Sequence, residues 1–148
     1  MRLAIVRHAV ALHRKDWKTD DRLRPLTPRG TRQAEGLIDL LAPLAPDRVL
    51  SSPFTRCVDT VLPFASKAGL ALEETDLLAE RAGAAIASRL AEIDGDCLVL
   101  CSHGDVIPEL LDALLGNDQE RPSEKGSVWV VDDVGGDAPR PRYLPPPA

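Results

Sequence analysis

Leu3-Ala4-Ile5-Val6-Arg7-His8 is the stretch that decides the fold, and Cys97-Leu98-Val99-Leu100-Cys101-Ser102-His103-Gly104 is its counterpart later in the chain. Each is a short, unbroken apolar run, the pattern of a strand buried on both faces in a parallel sheet; a half-exposed strand would alternate instead. Each run also hands a histidine to the turn just past its carboxyl end. Open α/β sheets hold their ligands at that edge.

Outward from these runs the chain alternates strands with helices. Thr27-Pro28 is an N-cap followed by proline, and Ala34, Leu37, Ile38 and Leu41 then repeat at helical spacing until Pro43. Arg48 to Ser51 reads as a short strand. Ser52-Pro53 repeats the cap-plus-proline signal for a second helix running to about Lys67, with Gly69 as its stop. A weak extended stretch near Leu70 to Glu73 leads through a loop carrying Glu80 to a third helical pattern at Ile86, Leu90 and Ile93. A fourth helix spans Val106 to Leu115, where Pro108 is tolerable because it falls in the first turn. Ser127 to Val131 is a last strand.

This order predicts an α/β three-layer sandwich, with a mostly parallel central sheet and helices on both faces. One domain over residues 1–131 is expected. Residues 132–148, rich in Gly and Pro, form a tail expected to be poorly ordered or to hug the sheet edge.

Composition narrows the function. The 148 residues carry a formal net charge of −5, which argues against a nucleic-acid or anionic-membrane binder. No apolar stretch reaches the roughly 18 residues of a membrane span, and no signal peptide is read at the N-terminus, so a cytoplasmic location is expected. Cys57, Cys97 and Cys101 lack the spacing of a zinc or redox motif and read as small core residues in a reducing compartment. Of the 18 basic residues, 14 are Arg, several of them clustered at Arg7, Arg22, Arg24, Arg29, Arg32 and Arg56. Guanidinium grips phosphate through paired hydrogen bonds, so a small anion pocket on an acidic protein is implied.

The expected rim places Arg7, Arg56, His8, His103 and the first amides of the Pro53 helix around one anion-sized space. A neutral imidazole there can act as nucleophile toward a phosphoryl group, and cationic neighbours favour that neutral form. Only one histidine can attack in line; the other must donate to the phosphoryl oxygens. His13 and the helix residues Arg29 and Arg32 read as solvated, and Trp17 as a loop residue covering core.

These residues resemble the histidine phosphatase superfamily, which includes the phosphoglycerate mutases. The resemblance rests on Val6-Arg7-His8-Ala9, Leu23-Arg24-Pro25-Leu26-Thr27-Pro28-Arg29-Gly30, Ser51-Ser52-Pro53-Phe54-Thr55-Arg56-Cys57 and Cys101-Ser102-His103-Gly104, in that order. It implies a phosphoglycerate mutase-like fold, His8 as the phosphorylated nucleophile, Arg7 and Arg56 as phosphoryl ligands, and His103 as transition-state stabiliser. It implies no metal and no organic cofactor. The family usually has Gly where Ala9 stands, although its short members carry Ala.

Only 46 residues separate Arg56 from His103, too few for the lid of larger family members. A mutase must shield its intermediate from water, so hydrolysis is expected instead. Glu80 is the first candidate for general acid or water-positioning base, and Asp105 the second. The compact length resembles the short phosphohistidine phosphatases typified by SixA, and also the phosphatase-like domain attached to some Nudix hydrolases. Arg24 is the substrate-side candidate by the former likeness.

The expected partner is a phosphorylated substrate: a phosphohistidine protein, a small phosphomonoester or a nucleotide. Oligomeric state is unmarked. Two other readings compete, a phosphate-recognition module without turnover and a metal site built from His8, His103 and Glu80. Arg7 and Arg56 would repel the cation that the second needs.

Overall fold

A computed structural model describes residues 1–116 and 119–148. Its centre is a six-stranded sheet of β1 (Arg2–Arg7), β2 (Arg48–Ser51), β3 (Leu72–Glu74), β4 (Cys97–Ser102), β5 (Val128–Asp132) and β6 (Arg140–Leu144), in the order β3-β2-β4-β1-β5-β6. Strands β1 to β4 are mutually parallel, and β5 runs against β1. The mostly parallel sheet of the sequence reading is therefore present.

Alternation along the buried strands feeds a core on each face. Ala4, Val6, Val49, Val99 and Cys101 pack with Leu37, Leu41, Val61 and Phe64 of helices α1 (Pro28–Leu41) and α2 (Thr55–Ala68). Leu3, Ile5, Leu50, Leu98 and Leu100 pack with Ile86, Leu90 and the apolar face of α3 (Val106–Leu115). All three cysteines are free and buried in or beside these cores.

Three local readings change. The third helical segment, Ala85–Glu92, is a 3₁₀ helix. Helix α2 starts at Thr55 rather than at Pro53, because the Ser52 hydroxyl accepts the Phe54 N–H at 3.2 Å in a turn of its own. In the tail, β6 pairs antiparallel with β5 and covers that edge of the sheet, the second of the two forms expected for it. No helix among the described residues is long and apolar enough to cross a membrane.

The first turn of α1 braces the segment that follows His8. Thr27 N–H and Oγ1 both donate to Val10 O, while Gln33 Oε1 accepts Val10 N–H at 3.0 Å. Gly30 lies against the same carbonyl so closely that an added Cβ would stand 2.0 Å from Val10 O. Neither backbone can yield without moving the turn beyond His8. Gly30→Ala is therefore expected to cost about 1–3 kcal/mol, the range for overpacking, which lowers Tm by roughly 2–4 °C per kcal/mol in a chain of this size. Thermal denaturation measures it, and an unchanged Tm would contradict the close contact.

Candidate active site

The register of β1 on β4 sets the site. Arg7 stands opposite Ser102, so His8 and His103 leave neighbouring parallel strands at the same height. The His8 N–H extends the ladder to Ser102 O at 3.1 Å, and the two rings meet edge to face with centroids 5.6 Å apart. Strand β2 ends beside them, because Ser51 pairs with Cys101, and α2 then brings Arg56 back over the rim. A cleft of about 550 Å³ is lined by Arg7, His8, Arg56 and His103 together with Arg24, Glu80 and Asp105. All the site residues expected from the sequence thus share one cavity. Of the first turn of α2, Arg56 lines the cleft.

The two histidines are bonded through opposite ring nitrogens. His8 Nδ1 lies 2.8 Å from Ala9 O, a carbonyl that can only accept, so Nδ1 carries the proton and Nε2 keeps its lone pair. His103 is bonded at the other nitrogen: Nε2 is 2.8 Å from Ser52 Oγ, whose lone pair already accepts from Phe54 N–H. Ser52 Oγ and Nε2 are thus hydrogen-bonded to each other, and Nδ1 is the ring nitrogen left over for a ligand. That buried Nδ1 has no partner among the described residues. The Cys57 thiol backs the same ring, 3.5 Å from Nε2, and Phe54 packs edge-on at 4.8 Å between centroids.

Both inner arginines are positioned by close packing. Arg7 donates to Ser123 O, and its guanidinium lies flat enough on Gly104 that a Cβ there would fall 2.7 Å from Nη2. Arg56 is 1% exposed; Nη1 donates to Asp21 O at 2.9 Å, and Nη2 reaches Asp21 Oδ2 and Glu80 Oε1, each at 3.2 Å. The Phe54 ring sits 5.0 Å from the Arg56 guanidinium carbon. The Nε atoms of Arg7 and Arg56 are buried without a partner among the described residues.

Among the carboxylates, Glu80 also accepts from Arg14 at 2.9 Å, so its partners are Arg14 and Arg56 rather than the adjacent Arg81. Asp105 Oδ2 accepts the Arg81 N–H at 2.7 Å. Arg24 binds Asp21 Oδ1 at 2.8 Å and Leu12 O at 2.6 Å. Burial pushes the Asp21 carboxyl up, but the Arg24 hydrogen bond and the Arg56, Arg24 and Arg14 charges outweigh it and leave it below its ordinary value.

Ala9 needs no glycine. Its φ is not positive, its side chain is fully buried, and its N–H donates to Thr60 Oγ1 at 2.9 Å. Arg29, Arg32 and His13 are exposed, with His13 at the cleft rim. Trp17 does not cover core; it lines a neighbouring cleft of about 460 Å³ with Arg22 and Phe54. Four residues escaped the sequence reading: Asp21, which clamps two arginines; Ser52 and Thr60, which orient His103 and the His8 turn; and Lys125. The acidic Asp21 three positions before Arg24 was a usable signal for the first, whereas Lys125 carries no local motif.

The electrostatic result is a neutral His8. Burial pushes its pKa down first, the Arg56, His103 and Arg7 charges push further, and the Ala9 hydrogen bond opposes them, leaving a value of about 3. A folded value below the unfolded one of about 6.5 means that this contribution to stability is full above pH 6.5 and is lost as pH falls through the folded value. The His8 ring resonances are expected to stay fixed between about pH 5 and pH 8, where an ordinary imidazole titrates. An NMR midpoint near 6.5 would contradict the buried, cation-flanked geometry.

Known proteins resemble this chain in sequence and in fold. The sequence model of the histidine phosphatase superfamily (branch 1) matches residues 3–93, a span holding His8, Arg24, Arg56 and Glu80. The chain is 35% identical over 153 aligned positions to an 8-oxo-(d)GTP phosphatase of Mycolicibacterium smegmatis; the alignment takes in 97% of this chain but only 48% of that protein, so the chain spans about half its length. Among solved structures, the protein from Agrobacterium tumefaciens that carries the name phosphohistidine phosphatase SixA superposes with a TM-score of 0.78 at 25% identity, covering 98% of both chains. A protein histidine phosphatase SixA complexed with tungstate gives a TM-score of 0.78 at 20% identity, over 99% of this chain and 96% of the other. With the paired histidines, the two flanking arginines and the family match converging on one rim of the sheet, the chain belongs to branch 1 of the histidine phosphatase superfamily.

Proposed function

We propose that this chain is a phosphatase that works through a phosphohistidine on His8 and needs no metal. The observation that carries the reading is the Nδ1–H of His8 pinned on Ala9 O, which presents the Nε2 lone pair to a cleft that also holds Arg7 and Arg56. Among the described residues no group of three or more His, Cys, Asp and Glu is arranged to hold a metal, and the two guanidiniums oppose a cation beside His8.

In the first step the Nε2 lone pair forms an N–P bond as the bond from phosphorus to the leaving oxygen breaks, and that oxygen keeps the bonding electrons. Arg7 and Arg56 hold the non-bridging oxygens, and His103 Nδ1–H donates to one of them as charge builds. Glu80 supplies a proton when the leaving oxygen needs one. In the second step water attacks phosphorus and gives its proton to Glu80; the N–P bond breaks, the electron pair returns to Nε2, and orthophosphate leaves. Asp105 lines the same cleft and is the alternative carboxylate.

Two substrate readings have support. The relative of 35% identity, named for 8-oxo-(d)GTP, favours a nucleotide. The likeness to the SixA protein of 25% identity favours a phosphohistidine protein. Three free, buried cysteines suit a reducing compartment such as the cytoplasm.

Steady-state kinetics on nucleotides, on small phosphomonoesters and on a phosphorylated phosphotransfer protein tests the reading. Turnover is expected to survive EDTA, to vanish in His8→Ala, and to fall about 10²–10⁴-fold in Glu80→Gln, the usual worth of a positioned acid or base. A wild type that binds phosphorylated ligands without turning any over would instead mark a recognition module. Activity lost to EDTA and restored by zinc would contradict the metal-free mechanism.

A further inference from the structure

The cleft holds more positive charge than one phosphoryl group requires. Beyond Arg7 and Arg56, its wall carries Arg14, Arg24 and Lys125, of which Arg14 is paired with Glu80.

Lys125 is built into the wall by its backbone. It sits in the turn just before β5, where Gly126 N–H donates to both Arg7 O at 3.1 Å and His8 O at 3.2 Å. Gln33, which also accepts Val10 N–H, donates to Lys125 O at 3.3 Å. Gly126 takes a φ of +86° with the Gln33 amide against it, so the turn tolerates no side chain there. One amide side chain thus ties the Lys125 turn to the segment following the nucleophile.

Among the described residues, no carboxylate is hydrogen-bonded to the ammonium. Partial burial lowers its pKa first, and the Arg7, Arg24 and Arg56 charges lower it further. The Nε and Nη1 of Arg24 are committed to Asp21 and to Leu12 O, which fixes the guanidinium plane and leaves Nη2 over. Asp21 and Glu80 offset part of the Arg24 and Arg56 charge, and a cation flanked by three guanidiniums is further stabilised when an anion arrives.

We infer that Arg24 and Lys125 form a second phosphate subsite next to the phosphoryl site of Arg7 and Arg56, so that the preferred substrate carries a phosphoanhydride, as a nucleoside di- or triphosphate does. The inference rests on the proposed role of His8, because that role decides which pair of cations takes the scissile group. A phosphoanhydride sets a second charged phosphate directly beside the one under attack. A phosphohistidine side chain brings only one phosphate and leaves the outer pair unused. The leaving group, a phosphate oxygen, also departs without a strong demand for a proton, which suits a Glu80 already hydrogen-bonded by Arg14 and Arg56.

Calorimetric titration with two non-hydrolysable probes, methylenediphosphonate and methylphosphonate, tests this without turnover. The wild type is expected to bind methylenediphosphonate at least about tenfold more tightly, the worth of one additional charge-assisted contact. Lys125→Met is expected to collapse that ratio to near unity, Lys125→Arg to keep most of it, and the control Lys15→Met, which removes an equal charge outside the cleft, to leave it intact. Equal affinities in the wild type, or a ratio that survives Lys125→Met, would overturn the subsite. A ratio that behaves as expected in a protein that forms no phosphoenzyme would keep the subsite and reject the catalytic role of His8, so the two failures are separable.

Discussion

The parallel pairing of β1 with β4 places Arg7 opposite Ser102, and the chemistry of the rim depends on that one register. Two histidines far apart in the chain become neighbours because equivalent positions on adjacent parallel strands are separated by a single strand spacing, about 4.8 Å. A shift of one residue would turn Ala4 and Val6 away from α1 and α2 and put Leu3 and Ile5 in their place. Two differently shaped cores therefore hold the register, and the register holds the histidine pair. The site is a consequence of packing on both faces of the sheet.

Around that pair the protein keeps charge in deliberate imbalance. Asp21 restrains Arg24 and Arg56 from outside the cleft, and Glu80 joins Arg56 to Arg14. These contacts orient guanidiniums that would otherwise repel each other, yet among the described residues they leave the buried Nε atoms of Arg7 and Arg56 and the Nδ1 of His103 unpaired. Unpaired buried donors are costly in a folded protein. The residues that carry them line the cleft, and the proposed phosphoryl group is the partner that would recover that cost. Burial, reinforced by the same cations, holds His8 neutral, which a nucleophilic nitrogen requires.

The strands and most of the site were legible before the structure because buried strands and phosphate-gripping residues leave local signatures. The apolar runs around Ile5 and Val99 marked the strands, and Arg7, His8, Arg56 and His103 stood in recognisable contexts. What was not legible depends on tertiary contact. Ser52 looks like a helix cap in isolation, and only its position against His103 gives it another task. Ala85–Glu92 has helical spacing but winds as 3₁₀, and Trp17 looks like core cover but lines a second cleft. Lys125 sits in a turn without a motif, carried to the site by Gly126 and Gln33. Residues of that kind are placed by backbone hydrogen bonds, and such bonds have no side-chain pattern to read.

The central claim is that His8 presents Nε2, and not Nδ1, to the phosphoryl group. Trapping the phosphoenzyme in alkali and recording its phosphorus NMR spectrum tests it, because the two ring positions of phosphohistidine resonate separately. The structure predicts phosphate on Nε2 of His8 alone, absent from His8→Ala. Phosphate on Nδ1, on His103 or on His13, or no phosphoenzyme while turnover proceeds, would contradict the account.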